Sequence, residues 1–167
     1  MDMVSFEKVD KKDFSVLANV AKRVWHYAFD NLIGANQTDY MIEKFQSVSA
    51  FERQTSGEYY SYYFVLLNGE RVGYTAIVNR PNEDRLFLSK LYLLPETHGK
   101  GIAVKTLDFV QGKAKELGKS AVYLTVNKGN ARAIAVYEKF GFKLIDSIVT
   151  DIGGGFVMDD YVYQLEV

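Results

Sequence analysis

The sequence predicts an α+β domain, in which a central mixed but mostly antiparallel sheet of about seven strands is flanked by helices. Three observations predict it. Two β-rich runs, Tyr59–Leu67 and Arg71–Val78, enclose the dipeptide Asn68-Gly69, whose tolerance of positive φ suits a tight hairpin turn. A second glycine turn, Gly153 to Gly155, separates the last two strand-like runs. Between the hairpins lies a single strand, helix, strand, helix segment, so parallel pairing is confined to one part of the sheet. The 167 residues sit in the one-domain range and are read as a single domain over 1–167.

Along the chain, Val4–Val9 alternates apolar and charged positions as a half-buried strand does. A helix begins near Asp13, with its apolar face carried by Leu17, Val20, Val24 and Ala28, and should end near Gly34. Thr38–Thr55 reads as one or two short helices, Thr38 serving as the cap ahead of Tyr40, Met41 and Phe45. After the first hairpin come a polar turn at Arg80–Arg85, the strand Leu86–Leu94, a glycine-containing loop, and a helix over Lys100–Leu117. Val104, Leu107, Val110 and Ala114 form the face of that helix, and Gly118 stops it. The strand Ala121–Val126, a helix over Asn130–Phe140 closed by Gly141, and the two final strands complete the order.

Composition excludes several classes of chemistry. Twenty basic residues against 21 acidic ones, neither gathered into a block, argue against a nucleic-acid partner. The absence of cysteine removes disulfides, thiolate metal sites and a cysteine nucleophile, and two histidines are too few for a His-rich metal centre, so no metal is expected. The opening segment interleaves acids with apolar residues, and no apolar run reaches membrane length. A soluble, cytoplasmic protein without a membrane partner is the expectation.

The most informative stretch is His98-Gly99-Lys100-Gly101-Ile102-Ala103, lying between a strand and a helix. Backbone N–H groups at a helix start are free to point outward, and the helix adds roughly half a positive charge there, so a diphosphate is a plausible ligand. Leu94 and Gly101 occupy the positions where a Walker loop needs Gly and Ser or Thr, and Val104 stands where the dinucleotide fingerprint needs a small residue. A pair of glycines that merely turns the chain remains the alternative. A second constellation follows on the last helix, where Asn130 stands at the N-cap and Tyr137 two turns later on the same side. Taken singly, Asn130 reads equally as a cap and Tyr137 as part of the apolar stripe Ala133, Val136 and Phe140.

These residues resemble the GNAT superfamily of N-acetyltransferases. Its acyl-CoA loop runs Arg or Gln, any, any, Gly, any, Gly or Ala, and His98–Ala103 matches it with His98 as the departure at the first position. The segment Asn130–Phe142 is similar to the family's other signature, an Asn, a helix, a Tyr two turns on, then Gly-Phe. The resemblance implies acetyl-CoA as co-substrate, with the backbone of Leu91, Tyr92 and Leu93 pairing with the pantetheine arm. It places His98, Gly99, Lys100, Gly101, Ile102 and Ala103 at the pyrophosphate, and Asn127 and Asn130 on the same ligand. The strands Ser89–Leu93 and Ala121–Val126 should splay apart, commonly through a local bulge.

The implied reaction is direct attack of a neutral amine on the thioester, with Tyr137 protonating the departing thiolate. Trp25, His26 and Tyr27 fall on the helix that walls the acceptor side in this family, and a simple packed face is their other reading. No base is identified, since Ser89 and Phe87 stand where relatives carry a Glu. Asp39, Glu43, Asp159 and Asp160 lie in segments similar to acceptor-lining ones but read as solvated carboxylates. The early helices and the closing FVMDDYVYQL segment resemble bacterial spermidine/spermine acetyltransferases, so the expected acceptor is a small-molecule amine such as a polyamine. A protein or peptide N-acetyltransferase and a non-catalytic acyl-CoA-binding module stay open, and strand edges make a homodimer the modest expectation.

Overall fold

The computed structural model describes residues 2–167. Strands β1 (Val4–Lys8), β2 (Tyr60–Leu67), β3 (Glu70–Val78), β4 (Arg85–Leu93), β5 (Ala121–Asn127), β6 (Lys143–Gly153) and β7 (Phe156–Glu166) form one sheet. Their order is β1-β2-β3-β4-β5-β7-β6, as the α+β reading of the sequence requires. Every neighbouring pair is antiparallel except β4 and β5, whose connection crosses over through a helix. The β2–β3 hairpin turns at Asn68 and Gly69, both at positive φ.

The helices are α1 (Phe14–Ile33), α2 (Ala35–Phe45), α3 (Val48–Gly57), α4 (Ile102–Glu116) and α5 (Ala131–Phe140). The entry to α2 corrects the sequence expectation. Gly34 is its N-cap, and Thr38 is a buried residue inside the helix whose hydroxyl donates back to the Gly34 carbonyl. Ser47 is the side chain that caps a helix here, accepting from the Ala50 N–H at the start of α3.

Sheet alternation sends two sets of side chains to opposite faces. On one face Tyr62, Phe64, Tyr74 and Ala76 pack under α1, α2 and α3 through Phe14, Leu17, Trp25, Phe29, Met41 and Phe51. On the other, Leu86, Leu88, Val122, Leu124 and Tyr163 pack against Leu107, Val110 and Ala114 of α4 and Tyr137 of α5. The three-helix side contains a buried polar chain. Trp25 Nε1 donates to Tyr74 Oη (2.7 Å), Tyr74 Oη to Gln46 Oε1 (2.6 Å) and Tyr62 Oη to Gln54 Oε1 (2.6 Å). Gln46 and Gln54 both donate to the Phe45 carbonyl, so these buried groups are satisfied and α1 is tied to the sheet through the loop after α2.

Strand β4 decides where the cleft lies. Against β3 its register slips between Ala76↔Lys90 and Ile77↔Leu88, so Ser89 is an extra residue on the β4 side. Because side chains alternate with period two, that extra residue exchanges the faces of everything after it. Leu86 and Leu88 face α4, and so do Leu91 and Leu93. Lys90 and Tyr92 are thereby turned to the α1 side, where the Tyr92 ring meets Trp25 and Phe29. Beyond the bulge β4 also leaves its other neighbour: the parallel ladder with β5 comprises Arg85↔Ala121, Leu86↔Val122 and Phe87↔Tyr123 and then stops. The expected splay and bulge are both present.

No helix is long and apolar enough to cross a membrane among the described residues. Strand β6 forms the outer edge, with Leu144, Ile145, Ile148 and Val149 exposed.

Two glycines give opposite stability tests. A Cβ on Gly73 would lie 2.2 Å from the Tyr92 carbonyl oxygen and 2.9 Å from Leu93 Cα, so β3 approaches β4 only because the position is bare. Gly73→Ala should destabilise the fold by about 2 kcal/mol or more, lowering Tm by roughly 4 °C or more in a thermal scan. Gly112, inside α4 and open on all sides, should behave the other way, with Gly112→Ala stabilising by about 0.5–1 kcal/mol.

Candidate active site at the parted strands

Where β4 and β5 separate, a cleft of about 1340 Å³ runs between the two faces of the sheet. It is walled by α1, the end of β4, the loop before α4, β5, α5 and β7. Peptide groups along the β5-facing edge of β4 have no ladder partner past Phe87, and buried backbone groups of this kind need another partner. The cleft lining includes every residue assigned in the sequence to the cofactor, to catalysis or to the acceptor-side trio except Lys100, which is exposed outside it; of the four acids Asp39, Glu43, Asp159 and Asp160, only Asp160 lines it. Trp25, His26 and Tyr27 thus meet Leu91–Leu93, His98–Ala103, Asn127, Asn130 and Tyr137 at one place.

The loop is built from dihedrals that only glycine adopts readily. Gly99 has φ +82° and Gly101 φ +72°, and Gly101 caps α4 in the left-handed region. No protein atom lies within 4 Å of a Cβ built on either, so conformation, and not crowding by the protein, selects glycine there. His98 folds back: its Nε2 lies 3.2 Å from the Leu93 carbonyl oxygen and its ring edge meets Tyr27. Burial, with the nearby Arg132 charge, lowers its pKa, so it is neutral at pH 7. In the tautomer that donates to Leu93, the ring has no N–H left to offer an anion, and Nδ1 is buried without a partner.

Asn130 Oδ1 accepts from the Ala133 N–H, which fixes the start of α5, and its NH₂ group remains available. Asn127 Oδ1 is similarly engaged by the Gly129 N–H. Tyr137 approaches the gap from the α5 side, only 9% exposed and set against Phe142. Burial pushes its phenol up to about 12, so it keeps its proton across the physiological range.

On the α1 side the predicted trio divides. Trp25 is a buried wall whose indole N–H is held by Tyr74. His26 bridges Asp30 on α1 and Asp39 on α2, at 2.8 and 2.9 Å, and so clasps the two helices together. Tyr27 is half exposed at the mouth, beside His98.

One functional candidate escaped the sequence reading and another was set aside in it. Lys90 points into the cleft with its ammonium 5.6 Å from the Trp25 ring centroid, and burial draws its pKa down to about 8. Asp160 on β7, expected to be a solvated carboxylate, is 4% exposed and lines the same cleft. Burial, aided by Asp159 and opposed by Lys90 and Lys128, pushes it up to about 6. The two influence each other only through space, without a side-chain hydrogen bond between them, and their charged atoms open onto the cleft. The signal for Lys90 lay in the phase of the apolar positions, Leu86 and Leu88 against Leu91 and Leu93, which a regular strand cannot place on one face.

Residues 22–142 match the model of the acetyltransferase (GNAT) family. An uncharacterized N-acetyltransferase from Mycobacterium tuberculosis (strain H37Rv) is 39% identical over 100 residues, covering 60% of this chain and 63% of that protein. The matched part therefore spans less than two thirds of that relative's length. A D-amino-acid N-acetyltransferase from Saccharomyces cerevisiae is 30% identical over 79 residues, 45% of this chain and 49% of its own. The fold is similar to that of the PaiA N-acetyltransferase from Thermoplasma acidophilum in complex with coenzyme A, with a TM-score of 0.80, 20% identity and 99% of each chain covered.

The raised Asp160 pKa has a stability consequence. The folded state holds its proton more tightly than the unfolded state, for which the ordinary value is 3.8, so this group's contribution to stability grows as pH falls from about 6 towards 4. At pH 7 its ionisation costs on the order of 2 kcal/mol. Asp160→Asn should raise Tm at pH 7 by about 4 °C, and the gain should fade by pH 4, as read by thermal scans across that range.

Proposed function

The chain belongs to the acetyltransferase (GNAT) family, and on that premise we propose that it transfers an acetyl group from acetyl-CoA to a primary amine of a small molecule by direct attack within a ternary complex. The observation that carries this is the parted β4–β5 edge with a buried phenol at its opening. The backbone of Leu91–Leu93 along that edge offers partners to the amide groups of the pantetheine arm. The left-handed glycines at the start of α4 direct backbone N–H groups toward the diphosphate, and the helix dipole favours its charge. Asn130, its oxygen occupied by the cap, presents its NH₂ to the same arm.

Tyr137 serves as the general acid. Its phenol retains its proton at pH 7, stands at the gap, and donates to the thiolate as the C–S bond breaks. The acceptor enters from the opposite face, between α1 and β7. That side is lined by α1 together with Gln37 and Met41 of α2, and we take as its acceptor a small molecule that fits between these helices and β7. Polyamines, suggested by the resemblance of the outer segments, belong among the acceptors to be tried, with amino acids, amino sugars, arylamines and peptides. A purely acyl-CoA-binding module has no use for a proton donor at the gap.

Thiol release from acetyl-CoA across that panel tests the proposal, and no release with any acceptor would leave only the binding module. Tyr137→Phe should lower kcat by about 100-fold or more while leaving acetyl-CoA affinity by calorimetry nearly intact, since it removes one hydroxyl and little packing. An unaltered kcat would return Tyr137 to a structural role.

A further inference from the structure

We infer that the acceptor is an α-amino acid with an apolar side chain, its ammonium taken by Asp160 and its carboxylate by Lys90. This rests on the acetyl-transfer reading above and narrows it to a substrate class.

The acceptor side of the cleft is unusual in holding one charge of each sign that the protein itself leaves unanswered. Lys90 and Asp160 come from strands separated by β5, and both project to the α1 face: Lys90 because of the Ser89 bulge, Asp160 because Met158 shares its phase on β7. Each lines the cleft, the two are not in ion-pair contact, and the charged atoms of both open onto the cleft instead of being sealed among protein atoms. They are still near enough that Lys90 lowers the Asp160 pKa and Asp160 raises that of Lys90. A charge drawn partly out of water without a partner is costly, and an ammonium and a carboxylate held apart on one cleft wall can both be answered by one ligand of opposite polarity. An α-amino acid is the smallest ligand that carries a carboxylate and an ammonium together.

Trp25, Phe29, Met41 and Met158 supply apolar surface on the same side of the cleft, and the two methionines adapt to side chains of different shape. The polar groups beside them are already engaged, Asp30 by His26 and Gln37 by the Val157 carbonyl. A polyamine fits less well, because the cleft's other carboxylate, Asp30, is already engaged by His26 and its second cation would otherwise meet apolar side chains or Lys90.

The placement also accounts for the protons. Asp160, ionised at pH 7, takes one proton from the ammonium and passes it to solvent. The free amine forms the C–N bond at the acetyl carbonyl, and the C–S bond breaks as Tyr137 protonates sulfur. One of the two protons left on nitrogen then restores the Tyr137 phenol and the other stays as the amide N–H, giving the N-acetyl amino acid and the free thiol. Tyr92, Tyr137 and Asp160 all line the same cleft, so the two proton-handling groups open onto one space.

The test compares leucine and phenylalanine, each enantiomer separately, with their carboxamides, with 3-methylbutylamine and with spermidine, following thiol release from acetyl-CoA. The amino acids should exceed their carboxamides by roughly tenfold or more in kcat/KM, the scale of a lost charged hydrogen bond. Lys90→Met should collapse that ratio towards one and Lys90→Arg should restore part of it, with acetyl-CoA calorimetry confirming that each variant is folded. Equal or better turnover of carboxamides, monoamine or spermidine by the wild-type protein overturns the inference while leaving acetyl transfer standing. If nothing is acetylated although acetyl-CoA binds, the transfer reading falls and thermal protection of the acetyl-CoA-bound protein decides the acceptor class. Protection by leucine but not leucinamide supports the charge pair, and equal protection or none overturns it.

Discussion

Parallel pairing between β4 and β5 lasts three residue pairs, Arg85↔Ala121 to Phe87↔Tyr123, and the whole cleft follows from its stopping there. A sheet that opens in its middle exposes backbone donors and acceptors in a place that water reaches poorly. Such an edge is unstable towards closing unless the strands are held apart. Here β4 is kept on the β3 side by the bare Gly73 beneath Tyr92, and β5 is kept on the other side by seven pairs with β7, from Ala121↔Glu166 to Asn127↔Asp160. The opening is therefore a property of the folded sheet, and the protein leaves that edge of β4 with an unfinished ladder.

The two faces of the sheet divide the chemistry between them. The α4 and α5 face supplies the left-handed loop, the capped Asn130 and the phenol of Tyr137. The α1 face supplies the apolar wall, fixed by the hydrogen-bonded run from Trp25 through Tyr74 to Gln46, and the separated charges of Lys90 and Asp160. A reaction between two bound molecules needs this kind of two-sided access, since each must reach the same carbonyl without displacing the other. The cost shows as the shifted titration of Lys90 and Asp160, whose charged forms the fold tolerates rather than favours.

Most of the architecture was legible because local signals agreed with the global fold. The Asn68-Gly69 turn, the helix of α1, the Leu107, Val110 and Ala114 stripe of α4 and the Gly141 that closes α5 each specify an element by dihedral or period, and all appear, whereas Val104, expected on the α4 stripe, is exposed and Thr106 is buried in its stead. The boundaries that failed are those where tertiary context overrides propensity, as at Thr38, whose hydroxyl turns inward to Gly34 instead of capping. The cleft lining was equally readable in its backbone-driven half, from Leu91 to Ala103. Its acceptor half was not. Asp160 looks like any surface acid until the sheet order shows that β7 lies inside the sheet, between β5 and β6. Lys90 required noticing that the apolar rhythm of one strand breaks phase at Ser89.

That extra residue also governs how this chain should be compared with others. Because it sets which way every later side chain of β4 points, a gapless match to a relative without it would equate Lys90 with a position on the reverse side of the sheet. Substitutions along the strand can drift without moving the cleft, whereas loss of a single codon at Ser89 would trade an ammonium and a phenol for two leucines along its acceptor wall. Length, in this strand, is more informative about specificity than identity.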